Sequence, residues 1–200
     1  MPFTPEQYIL IGFILLLSSV LQGAIGFASG LFGIPLLMLV TGLGLPEAVA
    51  ISLVASMVQN TTAAYRLRSE IDFGRALRPL IIRMVTMPLG VATLYYVGSA
   101  SRDLASQIVG GVLLAIVITQ QVLRAEPREI LHVGWEWTAF SLAGFLLGFC
   151  GMGGPPMVLW VMAHNWTGSR ARAFLFYLFT TGMVPQAICL VLFFGTGILW

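Results

Sequence analysis

The residues able to do chemistry in this chain are few, and most carry no charge. The stretch Gly23-Ala-Ile-Gly26-Phe-Ala-Ser29-Gly30-Leu-Phe-Gly33-Ile-Pro35 concentrates glycine and proline. Glycine lets backbone approach a ligand closely. A helix that starts just past such a break aims free N–H groups and the positive end of its dipole at it, which suits an anion. Gln22 and Ser29 would add side-chain donors. A second stretch, Gly148-Phe-Cys150-Gly151-Met-Gly153-Gly154-Pro155-Pro156, echoes the first through the pattern Gly-x-x-Gly-x-Pro. That pattern is Gly30, Gly33 and Pro35 in one copy and Gly151, Gly154 and Pro156 in the other. Gly26, Gly153, Gln59, Asn60 and Arg83 complete the candidate binding positions. The competing reading of every glycine is close helix packing.

Other chemistries have little to stand on. Cys150 and Cys189 sit in apolar runs and form neither a disulfide framework nor a metal site. Cys150 has no neighbouring His or carboxylate, so it reads as small buried packing. There is no His-Glu-x-x-His, no Gly-x-Ser-x-Gly and no phosphate-binding Gly-Lys-Ser/Thr loop. Glu47 and Glu136 lie at helix ends. His132 reads as a solvated loop residue, and His164-Asn165 as a helix end or a gate contact. The chain is therefore expected not to be an enzyme and to use no cofactor and no metal.

The elements that must hold these residues are membrane helices. Fifty-eight per cent of the residues are hydrophobic and nine per cent charged, against about 25% charged in soluble domains. The first apolar run begins after Glu6 with no basic residues before it, unlike a cleaved signal peptide. The uncharged run Gln7–Pro46 is forty residues long, too much for one straight span of about 20. It should therefore break or re-enter at its glycines, which is tolerated where backbone lines a cavity.

Helix a is expected over Gln7–Leu21 and b over Ala28–Val40, with c from Pro46 to Tyr65 opened by Pro46-Glu47. Ser52, Ser56 and Gln59 or Asn60 share one face of c, either for helix–helix hydrogen bonding or as the polar wall of a substrate path. Arg66–Arg78 reads as a polar cytoplasmic loop by the positive-inside rule. Helix d follows over Pro79–Val97. Its Arg83 either snorkels to the interface or contacts an anion at membrane depth. Helix e spans Leu104–Leu123, and its Gly110-Gly111 pair reads as a close-packing site. Helices f (Trp135–Phe149), g (Pro156–His164) and h (Ala171–Leu192) resemble a, b and c at an offset of 121–123 residues.

All ten basic residues are Arg, and their placement sets direction. Helix c runs from an uncharged turn into the Arg-rich loop. Helix h runs from Arg170 and Arg172 towards an uncharged end. The repeats are thus expected to be inverted, as in many secondary transporters. The fold expected is an all-α polytopic membrane protein of two inverted-topology repeats with broken or re-entrant Gly-rich helices. Residues 1–124 form the first repeat, 125–134 a cytoplasmic linker, and 135–200 a partial second repeat. A complete second copy would need roughly fifty further residues. If a–b and f–g dip in from opposite faces, their glycine tips approach each other. The N-terminus is expected outside.

At these residues the chain resembles the TauE/SafE family of membrane transporters. The resemblance rests on Gly23–Gly30, Gly33-Ile-Pro35, Gly148–Pro156 and Ile71-Asp72-Phe73 ahead of helix d, and it covers about Gln7–Trp200. It implies a duplicated helical transporter of small sulfur-containing anions such as sulfite or sulfonates in the inner membrane. The expected partners are that anion, the lipid bilayer and a second copy of the chain, with no nucleic acid. The rival expectation is a channel-like or scaffold protein whose glycines serve packing only.

Overall fold

The computed structural model describes residues 4–26, 28–100, 102–122 and 132–199. They form α1 (Pro5–Ile25), α2 (Ala28–Thr41), α3 (Leu45–Arg66), α4 (Phe73–Ala100), α5 (Arg102–Val122), α6 (Val133–Cys150), α7 (Gly154–Met162) and α8 (Gly168–Phe194). Arg68–Glu70 and Thr196–Leu199 add single 3-10 turns, and there is no strand among the described residues. The chain is an all-α, multi-pass membrane protein. Among the described residues, four helices are long and apolar enough to cross a bilayer: within α1, α4, α6 and α8. The outward sides of α1 (Ile9, Phe13, Leu16, Val20) and α5 (Leu114, Val117, Ile118) are exposed and apolar, as lipid-facing surfaces are.

Local chemistry sets the helix starts. Thr4 caps α1 in a reciprocal capping box with Gln7, and Thr167 caps α8. The exposed His132 caps α6 by accepting the Gly134 N–H. Gly44 leads into Leu45-Pro46 at the head of α3, as expected. One start differs by more than three residues. Helix α4 opens at Phe73, not Pro79, because the Asp72 carboxylate accepts the Arg75 N–H at 3.2 Å and caps the helix there. Pro79 is then an interior proline. The expected loop 66–78 contracts to 67–72, and Arg75 and Arg78 belong to α4. The expected linker 125–134 lies largely outside the described residues.

Both apolar runs break at a left-handed glycine: Gly26 (φ 95°) ends α1 and Gly151 (φ 69°) ends α6. In a non-glycine residue that conformation is uncommon and costs energy. The helices after the breaks are short. At 1.5 Å per residue, α2 spans about 21 Å and α7 about 14 Å, less than the roughly 30 Å hydrocarbon layer. The shared Gly-x-x-Gly-x-Pro pattern does not fall on equivalent points. Gly151 is the break itself and Gly154 opens α7, whereas Gly30, Gly33 and Pro35 lie inside α2, about one turn past Gly26.

The tightest seam joins α4 to α6. A Cβ on Gly144 would run into the Arg83 carbonyl and Thr86 Oγ1. One on Gly148 would meet Met87 O, and one on Gly90 would meet Phe145 O. Small residues four apart on each helix let the backbones touch, the usual device of membrane helix pairs. Gly110 and Gly111 do not do this. Neither has a packing neighbour within 4 Å, because that side of α5 faces outward.

Arginines gather at one end of the bundle. There Arg170 at the start of α8 pairs with Asp72 beyond the end of α3 at 2.8 Å. Arg78 of α4 approaches Glu136 of α6 at 3.6 Å. The end of α3 thus meets the start of α8, while α4 and α6 both begin at this end.

Candidate functional site

Arg83 lies ten residues into α4 and is 1% exposed, so it does not snorkel. The reason is the α4–α6 seam, which fixes its Cα against Gly144 and turns the side chain inward. Its Nη1 donates to the Leu178 carbonyl of α8. Its Cζ stands 5.7 Å from the Phe179 ring centroid. Nε and Nη2 have no partner, and no carboxylate pairs with it among the described residues. A guanidinium does not lose its charge in proteins, so the site holds a fixed positive charge with two open donors.

These donors belong to the wall of a cavity of about 50 Å³ between the first turns of α2 and the Gly151 break. Gln22 of α1, Ser29 and Gly30 of α2, Ser52, Ser56 and Asn60 of α3, and Gln186 of α8 line it together with Arg83. Gly151, Met152, Gly154 and Pro155 close it from the second hairpin. α2 packs on the second break: a Cβ on Gly30 would strike the Gly151 carbonyl, and one on Gly151 would lie 2.5 Å from Ile34 Cδ1. The contact joins the first turns of α2 to the Gly151 break, whereas the Gly26 break lies against Arg172 of α8.

Amides brace the walls. Gln22 Nε2 donates to Asn60 Oδ1 at 2.5 Å, joining α1 to α3. Gln186 Nε2 donates to the Leu147 carbonyl at 2.9 Å, joining α8 to α6. Gln22 and Leu147 each lie four residues before their glycine break. Gln22 Oε1 is left without a donor. Ser56 donates to Ser52 O and lies 3.5 Å from Ser29 Oγ. The face of Ser52, Ser56 and Asn60 on α3 is thus the polar wall and is buried throughout.

Of the residues expected at the site, Gln22, Ser29, Gly30, Asn60, Arg83, Gly151 and Gly154 line this cavity, and six others do not. Gln59 donates to Ser19 O at 2.7 Å and ties α3 to α1. A Cβ on Gly33 would meet Ser18 Oγ at 2.8 Å, and one on Gly153 would meet Leu147 Cβ at 2.9 Å, so both are packing glycines. Gly26 makes the turn, Pro35 lies within α2, and Pro156 lines a separate apolar cleft between α5, α6 and α7. Pro155 and Pro156 also remove two of the four first-turn N–H groups of α7, which leaves α2 the richer N-terminus. Gln186 is the site residue the sequence reading missed. Its signal was a lone amide in the apolar helix h, beside Pro185. Cys150 is fully buried and donates to Leu146 O at 3.4 Å, a packing role. His164 lies two residues past α7, inside an aromatic cluster with Trp160 and Trp166.

Among known proteins, the family model described as sulfite exporter TauE/SafE matches residues 10–200. No curated protein and no solved structure matches the chain.

Proposed function

The chain belongs to the sulfite exporter TauE/SafE family, and from that premise we propose that it carries a small sulfur-containing anion, sulfite or an organosulfonate, across the inner membrane. The observation that carries this reading is Arg83, a buried cation with open donors on a polar cavity where both broken helices meet. Burying a charge without a partner costs several kcal/mol, and an anion entering the cavity offsets that cost. Ser29, Asn60, Gln22 and Gln186 frame the anion. The two hairpins then belong to inverted halves that rock about the site and expose it alternately. What supports the inverted relation is the meeting of the end of α3 with the start of α8. The Arg-rich end is cytoplasmic on the positive-inside rule.

The test is saturable sulfite flux in proteoliposomes. Arg83→Gln should abolish flux in protein that still elutes as a single species, and Arg83→Lys should retain part of it. Undiminished flux in Arg83→Gln, or an unsaturable leak indifferent to the anion, would move the assignment to a channel or scaffold.

A further inference from the structure

The cavity presents more than a positive charge. Its unpartnered groups are of both kinds: two donors on Arg83 and one acceptor, Gln22 Oε1, which is itself buried. No other charged group lines it among the described residues. The nearest carboxylates of the packed helices are held at the bundle end, Asp72 by Arg75 and Arg170, and Glu136 by Arg78. Glu47 stands at the head of α3. Of the other titratable groups, Arg172 reaches the Gly26 turn but is tied to Gly168 O. Cys150 is spent on Leu146 O. The site therefore has a net charge of one and needs both an acceptor and a donor from its ligand.

We infer that the cavity takes its substrate as a protonated monoanion, an oxyanion with one negative charge and one O–H, so that sulfite binds as hydrogen sulfite. This rests on the anion-site reading above. Two arguments converge. A monoanion neutralises Arg83, whereas a dianion leaves one uncompensated negative charge in a water-poor space, which is costly. A dianion also has only acceptors, so Gln22 Oε1 would stay buried and unsatisfied. The O–H of a monoanion fills that place while its charged oxygens accept from Arg83 Nε and Nη2. At about 50 Å³ the cavity exceeds the space one water needs, so a small ion is the size of ligand it suits.

Sulfite loses its second proton close to neutral pH, so the inference is readable as a pH profile. Binding to the purified full chain would be measured by calorimetry for sulfite, methanesulfonate (a monoanion without O–H) and sulfate (a dianion) across that range. Above the titration, apparent sulfite affinity should fall about tenfold per pH unit, as the protonated fraction does. Methanesulfonate should bind with a flat profile and more weakly than hydrogen sulfite, and sulfate should bind weakest. Gln22→Leu should narrow the gap between sulfite and methanesulfonate at low pH. Arg83-dependent sulfite binding that is flat or strengthens with pH would overturn the monoanion inference and leave the anion site standing. Sulfite binding that Arg83→Gln does not weaken would overturn both.

Discussion

Arg83 and Arg170 are both cations set against an aromatic ring, with Cζ 5.7 Å from Phe179 in one case and 5.2 Å from Trp166 in the other. Their surroundings are otherwise opposite. Arg170 is 37% exposed and holds the Asp72 carboxylate at 2.8 Å. Arg83 is buried and meets one carbonyl and no carboxylate among the described residues. A charge that is already paired at the bundle end serves architecture. A charge left unpaired in the interior is a standing cost to the fold, and such costs persist where function uses them.

The contrast predicts opposite signs. Arg83→Met should raise the thermal stability of the ligand-free protein by on the order of a few kcal/mol, because it removes a buried charge and strands no acid. It should also weaken anion binding by about 100-fold or more, the loss of two charge-assisted hydrogen bonds. Arg170→Met should lower the melting temperature slightly and leave binding nearly intact. Thermal unfolding with and without sulfite measures both. A destabilised Arg83→Met would mean that the guanidinium is structural after all.

The glycines divide in the same way. Gly148→Leu should cost roughly 1–3 kcal/mol by overpacking the α4–α6 seam, and anion affinity should fall with it because that seam holds Arg83. Gly111→Ala, on the open side of α5, should be neutral or stabilise by up to about 1 kcal/mol. Melting curves of the two variants separate seam glycines from idle ones.

These differences mark where the sequence was readable. Two long uncharged runs, each broken at glycine, gave the helical hairpins, because a chain of that length has to fold back. Which glycine does what was not readable. Gly30, Gly33, Gly110, Gly144 and Gly153 look alike in one dimension, and only the position of the facing helix decides whether a missing side chain serves a cavity, a seam or nothing. The recurrence of Gly-x-x-Gly-x-Pro misled by about one turn for the same reason. Arg83 was visible but ambiguous, since one turn of helix separates a snorkelling arginine from a buried one. The cap at Asp72 moved the start of α4 and put Arg83 deeper than Pro79 had implied.

Amide variants sharpen the boundary of the cavity. Gln186→Leu removes a hydrogen bond worth about 0.5–1.5 kcal/mol and should reduce anion affinity several-fold, because the Leu147 carbonyl beside the Gly151 break is released. Gln59→Leu removes a comparable bond to Ser19 O outside the cavity. It should cost similar stability with little change in affinity. Equal losses of affinity in both would mean that the amide braces on α3 and α8 hold the cavity as one unit.

The smallest effect belongs to Asp72, the acid that Arg170 pairs with. The backbone N–H of Arg75 is the largest influence on the Asp72 carboxyl, and with the Arg170 guanidinium it holds that group below the usual carboxylate value, against an opposing push from desolvation. A carboxyl whose folded-state value is depressed contributes stability that is fully present above its unfolded value and is lost as pH falls through the folded one. Asp72→Asn should therefore lower the melting temperature slightly at neutral pH. The difference from the parent should shrink below the ordinary Asp range and vanish in stronger acid. Because the Asp72 side chain is partly open to solvent, at 35% exposure, added salt should shrink it as well. Arg83 sits beyond the reach of that screening, so a salt series run on Asp72→Asn and Arg83→Met together should flatten the first and leave the stability gain of the second in place.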